Sequence, residues 1–130
     1  MTAVTSYSSS TSVLTGAIQL TPAGGVTAHD IWLVIAPLQE GKFAVILSAQ
    51  GLQQNGSYLI EGLSRGAPAA FVPLATTAAD SEFVSDGRGN GVYWHVLAND
   101  PRVTYAQVLL LYLPNMKLEG SQLVASALLG

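Results

Sequence analysis

The chain contains no cysteine. That excludes a disulfide framework and any thiolate metal site, and leaves the hydrophobic core alone to stabilise the fold. It leaves the compartment open, because the absence fits both the cytosol and the outside of a cell. Charge is scarce as well. Five basic and eight acidic residues among 130 give a formal net charge of −3, and the charged share is 10%, against about 25% in typical soluble domains. The basic residues Lys42, Arg65, Arg88, Arg102 and Lys117 are scattered singly, whereas a nucleic-acid footprint needs them gathered on one face. No nucleic-acid partner is expected.

Long hydrophobic runs are also missing. The longest, Ile31 to Leu38 and Val108 to Pro114, fall far short of the ~18 residues of a membrane-spanning helix, so no membrane insertion is expected. Met1 to Ser12 has neither the basic n-region nor the apolar h-region of a secretory signal. No repeat of about 20 to 50 residues recurs, which disfavours solenoids and propellers.

What is present is a succession of short segments rich in β-branched and aromatic residues, each closed by Gly, Pro, Asn or Asp. This is the signature of strands and turns. The pattern predicts about eight strands in one domain, at Val13–Leu20, Val26–Ala36, Lys42–Gly51, Ser57–Leu63, Ala69–Leu74, Glu82–Ser85, Val92–Leu97 and Val103–Leu113. A terminal segment, Leu123–Leu129, reads as a further strand rather than a helical turn. Pro22 and Pro101 are expected to break the chain, and Pro73 to confine its strand to a sheet edge. In the second strand Ile31, Leu33 and Ile35 share one face and Trp32 and Val34 the other. Both faces are apolar, which points to a central or covered strand. The connections are too short for βαβ crossovers. The expected fold is therefore all-β, an antiparallel two-sheet β-sandwich of jelly-roll or immunoglobulin-like type, spanning 13–130 and preceded by a polar arm over 1–12.

The residues that could carry chemistry are few. His29 and Asp30 are adjacent, and on a regular strand they point to opposite faces and do not meet. With two histidines and no cysteine, a zinc site would have to recruit carboxylates from distant loops. Asp86-Gly87-Arg88-Gly89-Asn90-Gly91 matches a calcium loop at its first, fifth and sixth places. Arg88 puts a cation where an oxygen ligand belongs, however, and Leu97 stands where the closing glutamate should be. A glycine-rich hairpin turn is the better reading. Asn55-Gly56-Ser57 is both an N-glycosylation sequon and a turn dipeptide, and the turn is the stronger reading. No G-x-S-x-G elbow accompanies the many serines. No catalytic residue, cofactor or metal is expected.

Two features remain. Tyr93, Trp94 and His95 follow the turn that carries Arg88, and form a possible ligand or interface cluster in which Tyr93 and His95 share a face. The arm Thr2 to Ser12, with Val4 and Tyr7, is uncharged and of high β-propensity, and suits strand addition to a neighbouring subunit. Scarce charge means weak self-repulsion, and charge is one device that keeps β-proteins apart. The sequence thus points to a non-enzymatic structural protein that associates with itself or with other structural proteins. Such a protein belongs in a virion, as a capsid or decoration subunit, or in an extracellular filament or surface layer. The second reading is an extracellular glycan-binding or ligand-binding module.

Overall fold

A computed structural model describes residues 17–130. The arm over 1–12, with Val4 and Tyr7, and the beginning of the strand expected at 13–20 lie outside the described residues. Within them the chain forms two antiparallel sheets. One has four strands, β1 (Ala17–Gln19), β3 (His29–Pro37), β4 (Phe43–Gln50) and β8 (Gly91–Leu97), in the order β1-β3-β4-β8. The other has β2 (Thr21–Pro22), β5 (Ser57–Ser64), β6 (Phe71–Pro73), β7 (Glu82–Val84), β9 (Tyr105–Leu113) and β10 (Gln122–Leu128), ordered β2-β10-β9-β5-β6 with β7 also paired to β5. The two-sheet antiparallel sandwich is as the sequence predicts, with more strands than the eight expected.

The expected terminal strand is β10, and the one additional strand comes from a chain segment that changes partners. The first predicted strand does not stop at Pro22. β1 pairs with β3 in one sheet, Leu20 drops into the core at 1% exposure, and β2 pairs with β10 in the other sheet. Pro22 is tolerated because β2 is an edge strand, where a missing N–H costs no ladder bond. On the opposite edge, β6 and β7 both lie along β5, on Glu61–Leu63 and Ser57–Leu59 respectively. They are two halves of one edge strand, split by the excursion 74–81, and Pro73 sits at the split as its edge assignment requires.

The last long strand begins at Tyr105 rather than Val103. Pro101 does not simply break the chain there but opens a single helical turn, α1 (Pro101–Thr104), in which the Asp100 carboxylate accepts the Arg102 N–H at 2.9 Å. Proline at the first helical position forgoes an N–H that has no intrahelical partner in any case.

The inward faces follow the alternation of each strand. Ile31, Leu33 and Ile35 of β3, Val45 and Leu47 of β4, Tyr58 and Ile60 of β5, and Val108 and Leu110 of β9 are buried in one cluster. Full burial of each such aliphatic side chain contributes about 1.5–3 kcal/mol. The apolar centre of β9 has a use on its other side too, where Leu111 and Leu113 form a second cluster with Leu59 of β5 and the partly buried Leu109. Gly62 of β5 leaves room for the ring of Tyr105, which covers it. A Cβ at Gly62 would lie 2.5 Å from that ring.

Candidate functional site

The outer face of the four-stranded sheet is the distinctive surface of the molecule. The strand register sets Gln19, Trp32, Ser48 and Val92 in one row across it, Ala17, Val34, Ile46 and Trp94 in the next, and Ala36, Ala44 and Val96 in a third. None of these side chains is charged. Trp94 is 67% exposed, Val92 63%, Ile46 40%, Val96 39% and Trp32 37%. Of the two expectations for the strand with Trp32 and Val34, a central or a covered position, the central one holds: β3 is flanked by β1 and β4, and among the described residues its Trp32 face is open. Apolar residues on both faces of a strand show that both surfaces avoid charge, but not that something covers each of them.

The face has a polar rim at both ends. His29, Asp30, Gln50 and Asn90 are exposed beyond the Trp32 row, and Glu40 and Lys42 beyond the Ala44 row. The large side chains of Trp32, Ile46 and Trp94 occupy two of the rows, and the small side chains of Ala36 and Ala44 the third.

Of the predicted cluster, only Trp94 reaches this surface. Tyr93 points inward at 4% exposure, and its hydroxyl donates to the Asp80 carbonyl at 2.8 Å. Burial, followed by the nearby Asp80 charge, pushes its pKa up to about 12. A buried ring held in this way cannot stack on a ligand, which removes Tyr93 from the predicted cluster. His95 is half-buried on the same side of β8 as Tyr93, so those two do share a face, but it is the inner one. Arg88 is exposed in the turn leading into β8, and its role there is carried by its backbone.

That turn is structural. The Asp86 carboxylate accepts the N–H groups of Arg88 at 2.8 Å and Asn90 at 2.9 Å, which hold its pKa below the usual carboxylate range, the Asn90 bond most strongly. Gly89 adopts a φ of 79°, and a Cβ there would meet the Leu52 carbonyl oxygen at 2.5 Å. The glycine is thus required by close approach of the backbone to the 52–56 turn. A carboxylate already committed to two backbone donors is poorly placed for a calcium ion.

His29 and Asp30 would meet only if the chain turned between them, and it does. A β-bulge between His29 and Trp32 and a φ of 50° at Asp30 turn the chain, and His29 Nδ1 lies 3.0 Å from Asp30 Oδ2. Both side chains are exposed, so the pair is screened by solvent. Among the described residues no group of three or more His, Asp or Glu side chains is placed to hold a metal ion. Nor is any helix among them long and apolar enough to cross a membrane.

Sequence reasoning missed the two buried serines. Ser85 Oγ accepts the Gly56 N–H at 2.9 Å and donates to the Gln53 carbonyl. Ser81 Oγ accepts the Ala75 N–H and donates to the Thr77 carbonyl, each at 2.9 Å. They fasten turns, and their hydroxyls are engaged by the backbone rather than by a base. Asn55 of the sequon adopts a φ of 54° and donates its N–H to the Asp86 carbonyl, in keeping with the turn reading. A cleft of about 190 Å³ at one end of the sandwich, lined among others by Thr27, Gln53, Tyr58 and Tyr112, is smaller than the ~300 Å³ at which small-molecule sites begin. Compared with protein families, with curated proteins and with solved structures, the chain matches none.

Proposed function

We propose that this chain is a non-enzymatic structural protein, a self-associating subunit of a larger assembly such as a virion shell or its decoration, or an extracellular filament or surface layer. The observation that carries the proposal is the uncharged, apolar outer face of the four-stranded sheet, with Trp94 and Val92 more than 60% exposed. Surface charge, edge prolines and bulges are what β-proteins use against unwanted pairing. Here β6 and β2 carry prolines at the edges of the six-stranded sheet, while the rows of the other sheet's outer face contain no charge. A monomer gains nothing from such a face, whereas a subunit gains the burial of every residue on it.

Analytical ultracentrifugation over a wide concentration range, followed by negative-stain electron microscopy, tests the proposal. It predicts concentration-dependent association into a defined species. A single monomeric species up to millimolar concentration contradicts it.

The exposure of Trp32 and Trp94 on one flat face supports a second reading, in which the face stacks on a sugar polymer as part of an extracellular module. Ring faces of tryptophan suit that contact. A glycan screen with the native chain and Trp94→Ala discriminates: binding that Trp94→Ala abolishes favours the second reading, and absence of binding removes it.

A further inference from the structure

We infer that the outer face of the four-stranded sheet is the contact between two copies of this chain, stacked face to face about a two-fold axis that lies in the interface, with the Trp32 row of each copy over the small side chains of Ala36 and Ala44 of the other. This inference rests on the self-assembly reading and specifies which surface serves it.

Three observations select a second copy as the occupant. The first is area. β3, β4 and β8 have seven to nine residues each, about 25 Å of strand at ~3.3 Å per residue, and at ~4.8 Å per strand the three are about 14 Å wide, while β1 adds only three residues. The projected face is therefore about 400 Å² per copy. Two copies cover roughly 800 Å² in projection and a larger accessible surface, because Trp94 and Val92 stand out from the sheet, which reaches the ~1,000 Å² that a specific interface must clear.

The second is anatomy. Fully desolvated interface cores are depleted in charge and enriched in aromatics, and their rims are polar. The three rows and the two polar ends reproduce that layout. A partner of opposite charge has nothing here to recognise, whereas an uncharged face is its own complement.

The third is the arrangement of side-chain size. Trp32 lies in the row at one end of the face, and Ala36 and Ala44 lie in the row at the other. A two-fold axis that lies in the interface, perpendicular to the strands, reverses the strand direction in the partner and brings each Trp32 row over the other copy's Ala36 row. An axis parallel to the strands would set the two Trp32 rows over each other.

The test compares sedimentation equilibrium of the native chain with Trp94→Glu, Val92→Lys and Val84→Glu. All three positions are more than 60% exposed, so the fold tolerates the change, and near-ultraviolet and far-ultraviolet circular dichroism confirm it. Val84 belongs to β7 in the other sheet. The inference predicts that Trp94→Glu and Val92→Lys each raise the dimer Kd by at least about 30-fold, the effect of losing a central anchor, while Val84→Glu leaves it within about two-fold. Association that Val84→Glu abolishes and Trp94→Glu leaves intact overturns the face assignment but not self-assembly. A native chain that stays monomeric up to millimolar concentration overturns both.

Discussion

Gly62→Ala is a small substitution whose sign the structure fixes. In an ordinary strand, alanine for glycine stabilises by roughly 0.5–1 kcal/mol, because less backbone freedom is lost on folding. At Gly62 the added methyl would lie 2.5 Å from Cδ1 and 2.6 Å from Cγ of Tyr105. Those atoms sit near the base of the ring and cannot swing clear while its hydroxyl donates to the Leu74 carbonyl at 2.9 Å. Overpacking of this kind costs about 1–3 kcal/mol, and loss of the hydroxyl bond adds about 1 kcal/mol. The net expectation is a loss of about 1–3 kcal/mol. At ~2.1 cal/mol/K per residue over the whole chain, that lowers Tm by roughly 4–11 °C. Thermal unfolding followed by circular dichroism reads it. The same substitution in a Tyr105→Ala background should cost nothing or stabilise, because the ring that opposes the methyl is gone. A Gly62→Ala protein at least as stable as the native one refutes the packing described around Tyr105.

The other predictions concern the groups that fasten the turns. Tyr93→Phe should destabilise by about 1 kcal/mol, since it removes the part-buried hydrogen bond to the Asp80 carbonyl. Because the folded pKa of Tyr93 lies near 12, above the ordinary value of 10.0, its contribution is complete below pH 10 and declines as pH rises toward 12. Denaturant melts across that window should show a shallower decline in Tyr93→Phe than in the native chain. Ser85→Ala leaves the Gly56 N–H and the Gln53 carbonyl with only their longer bond to each other, at 3.3 Å, and should cost about 1 kcal/mol in urea unfolding. Asp86→Ala should speed amide hydrogen exchange at Arg88 and Asn90 and leave the sandwich folded. In the native chain the protection of these amides relative to their intrinsic exchange rates should fall as pH drops below the ordinary carboxylate range, since the pKa of Asp86 is held down by those donors.

The strand pattern was largely readable from residue alternation. Ile31, Leu33 and Ile35 share one face as predicted, and it is the one that meets the core, and Pro73 marks an edge. Three features were not readable, because each is decided by tertiary pairing. The change of sheet at Leu20 depends on β10 arriving to accept Thr21 and Pro22. The bulge that brings His29 to Asp30 depends on a positive φ that aspartate tolerates but does not announce. The excursion between β6 and β7 depends on Ser81 and Tyr93 holding it inward. The proposed interaction face was half legible. Val92, Trp94 and Val96 alternate with Tyr93 and His95 along β8, which separates the two sides of the strand. Linear sequence does not reveal which side meets the core. Grouping Tyr93 with Trp94 joined residues that the pleat puts on opposite surfaces.

Both tryptophans of the chain, Trp32 and Trp94, lie on the proposed interface, so intrinsic fluorescence reports on that surface and no other. The measurement is emission and acrylamide quenching followed through the concentration range in which sedimentation shows association. The account predicts that emission moves to shorter wavelength and quenching falls in step with association. Emission and quenching that stay constant while the chain associates would contradict it.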